Sequence, residues 1–244
     1  MRRAVAFLTP LGGARSARPP TAAAVGWFPV VGALVGLAVG AVWWGANRIW
    51  PPGVAAALAV AADLSLTGLL HFDGLIDTAD GLLPPLERDR RLEVMADPTA
   101  GAFGVATAII VILLRWAALA AAPPSVCLVG GIWCASRTVM ATALRTLPYA
   151  RPAGLATSFR EDRGGGGSLG GGGSVGALGL AAATGLAAVA GLSRGVTAVV
   201  TVAVAAAAVL WLAQRRLGGF TGDVLGAAGV IGETAGLVVA AARW

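Results

Sequence analysis

The sequence predicts an all-α, polytopic membrane protein, a bundle of about seven transmembrane helices with a short cytoplasmic acidic helical segment. Three observations support this prediction. The chain is 57% hydrophobic and only 12% charged, and its mean hydropathy of +0.79 is unusual for a soluble domain. Seven apolar segments are long enough, or nearly so, to cross ~30 Å of hydrocarbon. Arginines are concentrated in alternate connections between those segments, as the positive-inside rule describes.

The seven apolar segments define an orientation. They lie at 27–46, 54–72, 103–122, 126–147, 175–193, 196–213 and 224–242. With the N-terminus in the cytoplasm, most arginines and most acidic residues fall in inside connections. We therefore expect residues 1–244 to form a single integral membrane domain within a lipid bilayer, with a flexible Gly/Ser-rich cytoplasmic loop at 164–174. The net charge of +6 is scattered and forms no basic stripe, which indicates anionic lipid and not nucleic acid as its partner.

The second apolar segment ends in a cluster of acidic residues. On a helix, Asp73, Asp77 and Asp80 are spaced i, i+4, i+7 and project from one face. Carboxylates this close repel one another and are costly near a bilayer, so a bound divalent cation is the simplest stabilising partner. His71, the only histidine, is a candidate general base, metal ligand or structural hydrogen-bonding residue.

A second acidic segment follows the break at Pro84-Pro85. Residues 87–97 are predicted to form another helix, on which Glu93 and Asp97 are spaced i, i+4. Folded against the first segment, this helix would supply carboxylates to one or two metal ions from a second direction. The alternative is a solvated loop in which neighbouring arginines pair with the acids.

Two more segments have residues suited to phosphate binding. Arg145 and Arg151 lie near the inside end of the fourth span, where guanidinium groups can hold a diphosphate, although the positive-inside bias also explains them. Asp223 lies in a glycine-rich turn that opens the last span, and the turn's amides can approach phosphate. A helix N-cap explains Asp223 equally well. Taken together, these groups indicate phosphoryl or phosphonucleotidyl transfer at a membrane surface.

Several of these motifs resemble one known family, the cobalamin synthases, which are adenosylcobinamide-GDP ribazoletransferases. The resemblance rests on residues 71–81, 91–97, 101–104, 147–156 and 222–227 and on Phe7-Leu8-Thr9. It covers nearly the whole chain, and the motif at 71–81 is specific. Phe72 stands where the family is expected to have leucine, and the glycine-rich loop departs from the family pattern.

The resemblance implies a reaction and a set of site residues. A hydroxyl of α-ribazole, or of its 5′-phosphate, attacks the cobinamide-side phosphorus of adenosylcobinamide-GDP, and GMP leaves. Mg²⁺ is the implied cofactor, and the implied location is a bacterial cytoplasmic membrane with the active site facing the cytoplasm. The implied metal ligands are Asp73, Asp77, Asp80, Glu93 and Asp97. By analogy with the CDP-alcohol phosphotransferases, Asp97 is the candidate general base and His71 the second choice.

Two other functions stay open from the sequence. A CDP-alcohol phosphotransferase of phospholipid synthesis would use a similar acidic pattern, but the alanine-arginine pair of that signature is absent here. A cation transporter would usually place its acids near the bilayer midplane, where only Asp63 and Glu233 fall. The oligomeric state is not determined, and a homo-oligomer is one option.

Overall fold

The computed structural model describes residues 1–10, 21–151 and 171–242. Within these residues the regular secondary structure is helical, apart from one isolated β-bridge, and the all-α prediction is confirmed. The helices are α1 (Arg2–Leu8), α2 (Ala22–Val25), α3 (Phe28–Ala46), α4 (Pro52–Thr67), α5 (Leu70–Leu82), α6 (Arg88–Val94), α7 (Ala102–Ala121), α8 (Val126–Thr146), α9 (Gly171–Ala188), α10 (Leu192–Leu217) and α11 (Gly222–Ala240).

Within residues 1–10, 21–151 and 171–242, five helical segments are long and apolar enough to cross a membrane. They are Ala23–Ala46, Ala102–Ala121, Val126–Thr146, Leu192–Leu217 and Gly222–Ala240. Their exposed faces carry large apolar side chains, as lipid-facing surfaces do, including Leu34, Ile109, Ile110, Leu113, Val200, Val204 and Trp211. The chain is therefore a multi-pass membrane protein. The predicted count of seven spans is not confirmed, because the apolar stretch Ser174–Ala188 is shorter and the pair α4–α5 is bent.

The predicted continuous span at 54–72 is wrong. Helix α4 ends at Gly68, and the chain then turns by 90° before α5 begins. Gly68 and Leu69 both have φ of +60°, a left-handed conformation that glycine adopts freely and leucine does not. Because of this turn, α5 runs nearly perpendicular to α4, and we treat it as lying outside the five spanning helices.

Glycines let α3 and α8 pack with their backbones close together. Gly32, Gly36 and Gly40 recur every fourth residue on the α3 face that contacts α8. A Cβ atom on Gly36 would lie 2.6 Å from the carbonyl oxygen of Val129, and one on Gly40 would lie 2.8 Å from the Cα atom of Val126. Close approach of this kind is how small residues stabilise helix pairs in lipid, where no hydrophobic effect drives the helices together.

Two further local predictions were wrong. The acidic helix predicted at 87–97 covers only Arg88–Val94, so Asp97 lies in the turn that follows it. The last four residues of the predicted flexible loop, 171–174, belong to α9. The rest of that loop, 164–170, lies outside the described residues.

Arginine side chains fix the C-terminal end of α5. Nη1 of Arg91 donates hydrogen bonds to the carbonyl oxygens of Gly81, Leu82 and Pro84 at 2.8, 3.0 and 2.9 Å, and Arg216 donates a further one to Leu82. Carbonyls at a helix C-terminus have no partner within the helix, and a cation also complements the helix dipole there. The helix that carries the acidic residues is thus held at its end by two other elements.

Replacing Arg91 by alanine is expected to destabilise the fold by about 2–3 kcal/mol. The side chain is 7% exposed, and its loss leaves buried carbonyl oxygens without a donor. Arg90→Ala is the matched control, because Arg90 is exposed and makes only a surface ion pair with Glu93, worth at most about 1 kcal/mol. The measurement is the midpoint of thermal unfolding in detergent. Equal shifts in the two variants would contradict this role of Arg91.

Candidate active site

Helix α5 presents its three aspartates in three different environments. The prediction that a helix carries all three is confirmed, because Asp73, Asp77 and Asp80 lie within Leu70–Leu82. Asp73 is exposed, Asp77 is half-buried and Asp80 is buried. The three carboxylates therefore do not form one uniform surface, and each has its own surroundings.

Asp80 binds the N-terminus of α7. Its Oδ2 atom accepts a hydrogen bond from the backbone nitrogen of Gly101 at 2.7 Å, and its Oδ1 atom accepts one from Gly104 at 2.9 Å. Unpaired amides at a helix start and the positive end of the helix dipole both favour a carboxylate. A Cβ atom at Gly101 or Gly104 would fall within 2.5 Å of this carboxylate. Both glycines are therefore required for Asp80 to reach the helix.

Asp223, in the first turn of α11, joins the acids of α5. A Cβ atom on Gly74 would lie 2.8 Å from the carbonyl oxygen of Asp223, so α5 and α11 are in backbone contact between Asp73 and Asp77. Burial raises the pKa of Asp77 to about 6, and the carboxylates of Asp223 and Asp73 add to this rise. We call Asp73, Asp77 and Asp223 the acidic cluster. Its like charges repel one another, which favours a bound cation.

A bridge between two loops brings Arg151 to this cluster. The backbone nitrogen of Ala150 donates to the carbonyl oxygen of Phe220 at 2.9 Å, and that of Phe220 donates to Pro148 at 3.0 Å. The loop after α8 is thereby tied to the turn before α11. Arg151 then lies 3.5 Å from an oxygen of Asp223, so these two predicted substrate-binding residues are brought together at the edge of the cluster.

Glu93 and Asp97 lie on the surface beside α5, and their described contacts are local. Glu93 pairs with Arg90 at 2.9 Å. Asp97 accepts hydrogen bonds from the backbone nitrogen and the hydroxyl of Thr99 at 2.9 and 2.6 Å, and these bonds lower the pKa of Asp97. Met95, between them in the chain, packs on Gly81 of α5, so the segment stays close to the acidic helix.

His71 and Arg145, both predicted from the sequence as candidate site residues, are less exposed to solvent than that role would require. His71 is 5% exposed, and its Nδ1 atom has no hydrogen-bond partner among the described residues. It packs against Gly226 of α11, inside the bundle. Arg145 is half-buried in the last turn of α8, and its Nη2 atom lies close to Gly26 at the junction of α2 and α3. These contacts do not place either side chain in the acidic cluster.

The donor set of the cluster suits a hard cation. Among the described residues, no three His, Cys, Asp or Glu side chains are already arranged as metal ligands. The oxygens of Asp73, Asp77 and Asp223 are nevertheless the ligand type that Mg²⁺ prefers, and Mg²⁺ commonly binds through one or two carboxylates together with water and substrate phosphates. Asp73 is exposed and Asp77 is half-buried, so both are accessible to such a partner. By ligand type and accessibility, Asp73 and Asp77 are the residues here that could hold a magnesium ion.

Comparison with known proteins decides the family. A model described as cobalamin-5-phosphate synthase matches residues 1–241. The chain belongs to this family. It is 38% identical to an adenosylcobinamide-GDP ribazoletransferase of Bradyrhizobium diazoefficiens, over 99% of this chain and 93% of that protein. It is 35% identical to a protein of the same name from Deinococcus radiodurans, over 94% and 81% of the two chains. No solved structure matches the chain.

Sequence reasoning placed Asp63 and Glu233 within spans but missed the ion pairs that they form with Arg115 and Arg137 in the interior of the bundle. Asp63, Arg115, Arg137 and Glu233 are each 1–4% exposed and pair with one another. The available signal was that two acids and two arginines occur inside apolar segments, where an ionised group needs a partner of opposite charge. The capping role of Asp80 was also missed, although the glycines at 101 and 104 were visible as a motif.

Proposed function

We propose that this protein is an adenosylcobinamide-GDP ribazoletransferase that joins α-ribazole, or its 5′-phosphate, to the cobinamide side of adenosylcobinamide-GDP. A ribose hydroxyl oxygen forms the new bond to that phosphorus, the bond to the GMP oxygen breaks, and the hydroxyl proton passes to a base. This reaction completes nucleotide-loop assembly in vitamin B12 biosynthesis. The family match over residues 1–241 supports it.

The single structural observation that carries the proposal is the acidic cluster at the contact between α5 and α11. Asp73, Asp77 and Asp223 act on one another electrostatically, beside the guanidinium of Arg151. A diphosphate brings negative charge to this point, and it can be held only if cations neutralise both it and the carboxylates. Arg151 supplies one positive charge, and Mg²⁺, held by Asp73 and Asp77 with Asp223 beside them, would supply the rest.

When bound, the magnesium ion would supply charge neutralisation at the diphosphate oxygens and a fixed orientation for the leaving group. The protein's own residues supply the geometry. Asp80 fixes α5 against α7 through the amides of Gly101 and Gly104. We therefore propose that the main role of Asp80 is to hold α5, and with it the acidic cluster, in position. Only the lone pairs that its hydrogen bonds leave unused are available to a metal. Arg151 is proposed to bind a substrate phosphate, with Arg145 further away along α8.

Asp97 is the better placed of the two candidate bases. It is exposed, whereas His71 is buried against α11. The hydrogen bonds from Thr99 lower the pKa of Asp97, so its carboxylate is ionised at neutral pH and can accept a hydrogen bond from a hydroxyl, but its proton affinity is lower than that of an ordinary aspartate. Glu93 lies four residues earlier in the chain, on α6, and is proposed to complete the site as an outer ligand.

The two alternative functions have less support. The relatives described above carry the ribazoletransferase name, and none of the observations favours a CDP-alcohol substrate. Asp63 and Glu233, the acids on which a transporter would depend, are paired with Arg115 and Arg137. We further propose that the protein lies in the cytoplasmic membrane with the acidic cluster on the cytoplasmic side, as the arginine distribution indicates. A homo-oligomer stays a prediction.

The proposal is tested by turnover of adenosylcobinamide-GDP with α-ribazole by the purified protein in detergent. We expect GMP and a cobalamin product to form in equal amounts when Mg²⁺ is present, and both to disappear with EDTA and to return when excess Mg²⁺ is added. EDTA is expected to leave the protein folded, so the unfolding midpoint measured in parallel is the control, and it should fall only by the amount that loss of the bound cation explains. Turnover of a CDP-alcohol and not of the cobinamide substrate would contradict the proposal.

A further inference from the structure

The four buried charges form one continuous network inside the bundle. Arg115 on α7 donates from Nη1 to Oδ2 of Asp63 on α4 at 2.5 Å, and from Nη2 to Oε2 of Glu233 on α11 at 2.7 Å. Arg137 on α8 donates to the other oxygen of Glu233. Two positive and two negative charges are therefore enclosed together, and their sum is zero. Charge balance of this kind is the condition under which ions persist inside an apolar span.

Arg115 is the centre of this network. Its Nε atom donates to the hydroxyl of Thr234 at 2.8 Å, and its Nη2 atom donates to the carbonyl oxygen of Val230 at 3.0 Å. Its guanidinium carbon also lies 5.3 Å from the ring centroids of both Phe72 and Trp133, within the range of a cation–π contact. Residues of α4, α5, α8 and α11 thus meet at one side chain of α7.

The network adjoins the two helices that form the acidic cluster. Phe72, under the guanidinium of Arg115, directly precedes Asp73 on α5. Val230, whose carbonyl accepts from Arg115, lies seven residues after Asp223 on α11, or about 10 Å along the helix. Between these points α5 and α11 touch with almost no free space, because Gly226 packs on His71 and Gly74 packs on Asp223. Arg115 therefore contacts both helices close to the place where their backbones meet.

We propose that Arg115, held by Asp63 and Glu233, is a positioning residue that fixes the register of α5 against α11 and so sets the separation of Asp73 and Asp77 from Asp223. The role of these carboxylates in the reaction rests on the proposed function. Arg115 itself lies away from the substrates and acts through Phe72 and Val230. Moving any one member would take a buried partner from at least one other ion of the network, which favours a single geometry.

Two charge-balanced double variants separate positioning from simple stabilisation. Asp63→Asn/Arg115→Gln removes the contact with Phe72, whereas Glu233→Gln/Arg137→Gln keeps Arg115 paired with Asp63 and leaves an amide oxygen at position 233 to accept the hydrogen bond from its Nη2 atom. Each variant removes one positive and one negative charge. We expect the first to lower kcat by roughly 100-fold with KM changed by less than about threefold, and the second to stay within about tenfold of the unmodified protein in kcat. Equal losses of kcat that follow the two unfolding midpoints would overturn the proposal.

A second measurement needs no catalysis. Leu75 of α5 and Ala227 of α11 belong to one buried apolar cluster. Cysteines at these two positions, in a protein with Cys127→Ala and Cys134→Ala, report the register of the two helices through cross-linking by disulfide formation with a small, membrane-permeant oxidant such as iodine, since both positions are buried. We expect cross-linking to fall in the Asp63→Asn/Arg115→Gln background and to persist in the other. Unchanged cross-linking in both would overturn the proposal, whereas an inactive unmodified protein would count against the proposed function alone.

Discussion

Asp77→Asn is expected to lower turnover about a thousandfold while leaving the protein folded. Asp77 is central to the acidic cluster, because burial and the nearby carboxylates of Asp223 and Asp73 act on it together. The loss of one carboxylate ligand should remove about 4 kcal/mol of transition-state stabilisation, equivalent to about a thousandfold in rate. The measurement is kcat for cobalamin formation at saturating Mg²⁺. Without Mg²⁺, the variant should unfold at the same temperature as the unmodified protein or higher, since the substitution relieves repulsion.

The matched control for this substitution is Asp89→Asn. Asp89 is an acid on the neighbouring helix α6, but its side chain is 87% exposed and pairs only with Arg88, so kcat should stay within about twofold. A variant of Asp77 that turned over normally would remove this residue from the site. Loss of activity together with a large fall in the unfolding midpoint would instead assign it a structural role.

The raised pKa of Asp77 gives this site a specific pH dependence. A metal binds the ionised carboxylate, and protons compete with it below a pKa of about 6. The Mg²⁺ concentration that gives half the maximal rate should therefore rise as the pH falls from 7 to 5. In Asp77→Asn the group cannot titrate, and the remaining activity should lose this dependence. A half-saturating Mg²⁺ concentration that did not change with pH would contradict the role of Asp77 as a ligand.

Gly104→Ala is expected to be strongly damaging although it adds only one methyl group. The new Cβ atom would lie 2.4 Å from Oδ2 of Asp80 and 2.8 Å from the carbonyl oxygen of Ile76. Either the carboxylate leaves the α7 amides or α5 moves away from α7. We expect a loss of about 2–3 kcal/mol in stability and a loss of activity of roughly 100-fold, because displacement of α5 displaces Asp77 as well.

Gly185→Ala is the control for this effect. A Cβ atom at Gly185 of α9 would have no atom within 4 Å, so alanine should stabilise the helix slightly, by roughly 0.5–1 kcal/mol. Activity and the unfolding midpoint are measured for both variants in the same detergent. Equal behaviour of the two glycine variants would show that the approach of Asp80 to α7 is not what restricts position 104.

Most of the helical segments could be predicted because membrane spans require long apolar runs. The predicted segments 103–122 and 126–147 agree with α7 and α8 to within one residue at each end, since proline and polar residues separate them. The acidic helix at 71–81 was also predictable from its i, i+4, i+7 spacing. The break at Gly68-Leu69 was not, because hydropathy continues through it and only the backbone angles show the 90° turn.

The partners of individual charges were less predictable. From the sequence, Asp80 was one of three equivalent metal ligands, and Asp223 was a substrate-binding residue or an N-cap. In the structure, Asp80 accepts hydrogen bonds from two backbone amides of α7. Asp223 lies beside Asp73 and Asp77. These assignments depend on contacts between residues 21 to 150 positions apart in the chain, which local spacing does not encode.

The sequence by itself determined that the protein lies in a membrane, that it is helical, and which types of residue form its candidate site. It could do so because hydropathy and helical periodicity are local properties. Its motifs also sufficed to indicate the family. Only the tertiary structure decided which carboxylates meet, which one caps a helix and where the buried arginines find their partners. The physical reason is that ion pairs and close helix contacts form between segments far apart in the chain, and their strength depends on distance and burial in the folded bundle.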